Sequence, residues 1–130
     1  MRACATVVVL ASLLACGGSS APVQPQYQPQ ITNATDSFGF QLTGVNNGDG
    51  TLSYTWRNTG AGATIDRSSA ISGGSVMLTV RDANNAQVYQ APLQGVSGSV
   101  STASGVPGDW TIVVEFVQAT GTINFRAQKQ

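Results

Sequence analysis

Along most of this chain, apolar side chains recur at every second position. Trp110, Ile112, Val114 and Phe116 alternate with Thr111, Val113, Glu115 and Val117. A period of two puts the first set on one side of a pleated strand and the second on the other. Gln118-Ala119-Thr120-Gly121 reads as a turn, after which Ile123 and Phe125 alternate with Thr122, Asn124 and Arg126. Residues 110–117 and 122–126 are therefore expected as the two arms of one hairpin with a heavy apolar face. Phe38, Phe40 and Leu42, then Leu52, Tyr54 and Trp56, repeat the pattern on either side of Asn46-Asn47-Gly48-Asp49-Gly50. These predict a second hairpin.

Shorter runs fill the interval. Ile65 centres a weak strand over 63–69. Val76, Leu78 and Val80 alternate with Met77, Thr79 and Arg81. Val88 and Tyr89 mark a strand over 86–91, and Val100 one over 97–103. No window sustains a helical period. About eight or nine strands in roughly a hundred residues predict an all-β fold, an antiparallel two-sheet β-sandwich of jelly-roll-like or Ig-like type. Its expected core is Phe38, Phe40, Leu42, Leu52, Tyr54, Trp56, Ile65, Val76, Leu78, Val80, Val88, Val100, Trp110, Ile112, Val114, Phe116, Ile123 and Phe125.

The sequence over 75–127 is similar to β-sandwich domains of the pre-peptidase C-terminal type. The likeness rests on a core triplet running into Arg81-Asp82-Ala83-Asn84-Asn85, on Gly108-Asp109-Trp110-Thr111-Ile112-Val113-Val114, and on Gly121-Thr122-Ile123-Asn124-Phe125. It implies a structural framework and a role in secretion, adhesion or accessory binding, and it implies no catalytic residues.

The chain opens differently. Met1-Arg2 is followed by an apolar run over 6–15, the length of a signal-peptide core and too short to span a bilayer as a helix. Leu13-Leu14-Ala15-Cys16 resembles the bacterial lipobox, with a branched apolar residue, a small residue and then the cysteine. That resemblance implies cleavage before Cys16 and lipidation of its sulfur. Acylation at two or more points gives stable anchoring. With Gly17 after the cysteine, the resemblance further implies the outer membrane if the host is Gram-negative. Residues 17–30, rich in Gly, Ser, Pro and Gln, carry too little apolar surface to order themselves. They read as a spacer of partly polyproline character. The division expected is thus a lipoprotein signal peptide over 1–15, a lipidated cysteine and tether over 16–30, and a β-sandwich domain over 31–130.

Composition narrows the chemistry. Six basic and six acidic side chains balance in 130 residues, so there is no electrostatic footprint for nucleic acid. His is absent and both cysteines, Cys4 and Cys16, precede the domain. The domain therefore has no disulfide, and zinc or copper would lack their usual ligands. The carboxylates Asp36, Asp49, Asp66, Asp82, Asp109 and Glu115 fall mostly in turns or at strand starts, as structural residues do. Two loops carry several oxygen ligands, Asn46, Asn47 and Asp49 in one and Asp82, Asn84 and Asn85 in the other. Calcium needs six to eight oxygens, and neither loop has the order of an EF-hand. Among the aromatics only Tyr89 is out of phase with the core, a poor platform for sugar stacking. Asn33-Ala34-Thr35 matches a glycosylation sequon, which reads as chance in a bacterial chain. Val113 and Val117, with Met77 on its own strand, fall on the outer face. If those strands are neighbours, they form one apolar patch flanked by Glu115 and Arg126.

These readings converge on a membrane-anchored lipoprotein of the bacterial cell envelope, held through lipid on Cys16. Its domain is non-catalytic, uses no cofactor, and contacts an envelope protein. The alternative is an accessory module binding calcium or glycan through its loops, with a hydrolase least favoured.

Overall fold

The computed structural model describes residues 21–22 and 27–130. The expected signal peptide, Cys16 and most of the expected tether lie outside the described residues. Those described form an all-β structure without helix: β1 (Ala21–Pro22), β2 (Gln30–Ala34), β3 (Ser37–Asn58), β4 (Ala63–Arg67), β5 (Ala70–Arg81), β6 (Gln87–Pro92), β7 (Gly98–Ser101) and β8 (Gly108–Lys129). β2 to β8 pair antiparallel, and β1 adds a two-residue parallel bridge to β3 at Gly48 and Asp49. All eight belong to one open hydrogen-bonded sheet.

β3 and β8 make up the spine, and both differ from expectation. Neither expected hairpin exists. Residues 38–42 and 52–57 belong to the single strand β3, and residues 110–117 and 122–126 to the single strand β8. The two strands pair with each other from Ser37↔Gln128 to Asn58↔Gly108. The segments read as turns are bulges. Register shifts fall between Leu42 and Val45, Val45 and Gly48, and Gly48 and Gly50. Each extra residue bends a strand and moves its inward phase by one. In β8 the inward set is therefore even-numbered up to Phe116 and odd-numbered from Ala119 onward.

The bend is sharp enough to fold the sheet over on itself. The rings of Phe38 and Tyr54, both on β3, lie 5.5 Å apart, and Phe40 lies 6.5 Å from Phe116. The start of β3 meets its end, where the Asp36 amide donates to the Arg57 carbonyl at 2.8 Å. One half of the folded sheet runs β2, β3 (37–42), β8 (119–129), β4, β7. The other runs β3 (50–58), β8 (108–117), β5, β6. Gly121 sits at the bend with φ of 135°, and a Cβ there would collide with the Ala70 carbonyl. Gly74 (φ 67°) would collide likewise with the backbone of Val117 and Gln118. Both positions need a residue without a side chain.

Every residue of the expected core is buried except Tyr54 and Val100, which are half-buried and packed against it. Val45, Ala63, Leu93, Ala119 and Ala127 join the core as well. Trp56 and Trp110 face each other across the β3–β8 ladder, edge to face, with centroids 6.0 Å apart. Each indole is satisfied, Trp56 Nε1 donating to the Ala34 carbonyl and Trp110 Nε1 to that of Val106. Tyr27, read as part of the spacer, packs against the core, and its hydroxyl accepts from the Asn46 amide.

Candidate functional sites

The two oxygen-rich segments have different structural roles. Asn46, Asn47 and Asp49 lie along the bulged bend of β3, not in a hairpin loop. The Asn47 amide donates to Thr120 Oγ1 at 3.0 Å, and Asp49 Oδ1 accepts from the Gln118 amide at 2.8 Å. Asn47 and Gln118 both have positive φ. Asp49 thus ties the bulge of β3 to that of β8.

Asp82 is buried just past the end of β5. Its Oδ1 accepts from the amides of Asn84 and Ala86, and its Oδ2 from Val106, all at 2.9 Å. The amides of Val106 and Ala86 hold its carboxyl below the ordinary range, against the opposing effect of burial. One carboxylate thereby shapes the β5–β6 turn and fastens the segment that leads into β8. With both oxygens engaged in this way, Asp82 reads as a structural keystone. Asn84 and Asn85 project from the same turn, exposed. Among the described residues there is no group of three or more His, Cys, Asp or Glu side chains able to hold a metal ion.

The remaining partnered carboxylates sit at strand ends. Asp36 accepts from the Thr59 amide and hydroxyl and lies 3.7 Å from Lys129 Nζ. The Thr59 amide contributes most to lowering its carboxyl below the ordinary range. Asp109 pairs with Arg57 at 3.1 Å in the open.

The outer apolar residues are neighbours. β5 lies beside β8, with Met77 across from Glu115 and Thr79 across from Val113. Met77 is therefore diagonal to both Val113 and Val117. Val117 is exposed, while Met77 and Val113 are half-buried. Arg126 does not flank this strip: the bend carries it to the other half, across from Gly39 and Asp66. Tyr89 is half-buried, with its hydroxyl 3.5 Å from Arg67 Nη1. Asn33, the sequon residue, donates to the Thr55 carbonyl and so bridges β2 to the free edge of β3.

A feature absent from the sequence reading lies on the outer face of β2, β3 and β8. Gly39 is the centre of a small grid. Thr32 and Arg126 flank it along one row, Gln30, Gln41 and Asn124 form the next, and Ser37 and Gln128 stand on the far side. The result is an open depression of about 290 Å³. A second, of about 270 Å³ and shared with Gln30 and Gln41, extends it towards Tyr27, Gln28 and Thr43. β2 carries only one large apolar residue, Ile31, so neither that strand nor the depression was visible in the alternation.

Among the described residues no helix is long and apolar enough to cross a membrane. No protein-family model matches this chain, and no curated protein matches it either.

Proposed function

We propose that this chain is a lipid-anchored protein of the bacterial cell envelope that displays a non-catalytic β-sandwich interaction domain. The observation that carries the reading is Leu13-Leu14-Ala15-Cys16 at the end of a short apolar run. The domain supports it in composition, since a chain with no His and no Cys beyond residue 16 has few means of nucleophilic or general-base catalysis. Its carboxylates at Asp36, Asp49 and Asp82 are engaged in holding turns and bulges. In this reading the two halves of the bent sheet are the layers of the sandwich, and the strip of Met77, Val113 and Val117 meets an envelope protein.

The test is direct. Mass spectrometry of the membrane fraction should find a chain beginning at Cys16 with added lipid mass. Cys16→Ala should move the protein to the soluble fraction and remove that mass. A Cys16→Ala chain that stays membrane-bound and acylated would refute the anchor.

The accessory-module reading is favoured by one specific observation, the polar depression around Gly39, and by nothing in the calcium-type loops.

A further inference from the structure

Gly39 has no internal reason to be glycine. It lies inside a strand paired on both sides, where glycine weakens a sheet relative to residues with side chains. Its φ is not among the positive ones. A Cβ built on it would meet only Thr32 Cβ, at 3.5 Å, and Thr32 Oγ1, at 3.9 Å, which is ordinary contact. The backbone does not require the glycine and neither does the packing. A gap kept open in the middle of a sheet face is what close approach of another molecule requires.

The groups around the gap are free to bind. Among the described residues, no hydrogen bond or ion pair engages the side chains of Gln30, Gln41, Asn124 or Arg126. The three amides stand in one row across three strands, about 4.8 Å apart. Each offers a donor and an acceptor side by side, the pairing that adjacent hydroxyls on a sugar ring satisfy. Among the described residues, Arg126 is the one charged side chain lining the depression. Its planar fork matches a carboxylate in bidentate fashion. Asp66, next along the row, lies outside the depression and makes no ion pair with Arg126. The two depressions together form a shallow, elongated groove with polar walls.

We propose that this groove binds a carboxylated saccharide chain. The amide row of Gln30, Gln41 and Asn124 takes ring hydroxyls, Arg126 takes a uronate-type carboxylate, and Gly39 lets the ring lie against the sheet. The proposal deepens the accessory-module reading and does not depend on the anchor. A chain that is not lipidated would still bind, and a lipidated chain that failed to bind would leave the anchor standing.

Calorimetric titration of the full chain with oligogalacturonate, and with neutral xylo-oligosaccharide as control, tests it. Uronate binding is expected, with the neutral chain at least about tenfold weaker, because one charge-assisted bidentate pair is lost. Arg126→Gln should remove that preference while the thermal midpoint is kept. Gly39→Val should abolish binding of both, since its side chain fills the gap. If Gly39→Val does not fold, Gln41→Ala and Arg126→Gln, both exposed positions, carry the test. Absence of uronate binding at millimolar concentration, or binding that none of these substitutions weakens, would overturn the proposal.

Discussion

Asp82 holds two separate parts of the chain together. Its carboxylate joins the β5–β6 turn to the segment before β8 through three backbone amides. Those amides favour the charged form, so the folded pKa lies below the ordinary value of 3.8. A depressed folded pKa gives stability that is complete above the unfolded value and lost as pH falls through the folded one. Asp36 behaves the same way for the same kind of reason. Acid unfolding followed by circular dichroism should therefore steepen below about pH 4. In Asp82→Asn that acid limb should flatten and the neutral-pH midpoint should fall, because an amide cannot accept the same three bonds as a carboxylate. The turn around Asp82 was readable from Asp82-Ala83-Asn84-Asn85. Its bond to Val106 was not, because only the folded chain brings those residues together.

At the scale of the element, β3 and β8 explain both what the alternation revealed and what it hid. The inward residues were readable because period two survives within each half-strand. The connection between halves was misread because a bulge and a hairpin turn draw on the same residues, Gly, Asn and Asp at positive φ. Asn46-Asn47-Gly48-Asp49-Gly50 suits either, and the choice depends on whether the chain goes on pairing with the same neighbour. Here it does, with β8 present along the whole length of β3. Two consequences follow for stability. Gly121→Val should destabilise strongly, since the residue combines a φ of 135° with backbone crowding from β5, and loss of a sharp thermal transition would show it. Trp56→Ala and Trp110→Ala, both at 0% exposure and in mutual contact, should each cost about 3–5 kcal/mol in denaturant titration. Quenchable, red-shifted emission from either indole in the native protein would contradict the burial.

Over the whole molecule, the outer surface divides into two characters. One half carries the strip of Met77, Val113 and Val117, and the other carries the amide row beside Gly39. Only the first was visible in the sequence, since an apolar residue out of phase announces itself and a polar one does not. In the Cys16→Ala full chain, Val113→Ser with Val117→Ser should cost about 1 kcal/mol or less per site. If this strip is the face for an envelope partner, the pair should reduce association in pull-down and in sedimentation. Unchanged association would remove the strip from the proposal.

The antiparallel spine also makes the rest of the sheet depend on one strand. β8 is an interior strand of both halves and follows the strands it pairs with in sequence. The pairs β2–β3, β4–β7 and β5–β6 join into one sheet only through it. Such wiring gives high contact order and slow, all-or-none folding, on the order of milliseconds to seconds. Removing residues 118–130 should therefore leave the entire domain open to protease, where losing a peripheral strand would have left a resistant remnant.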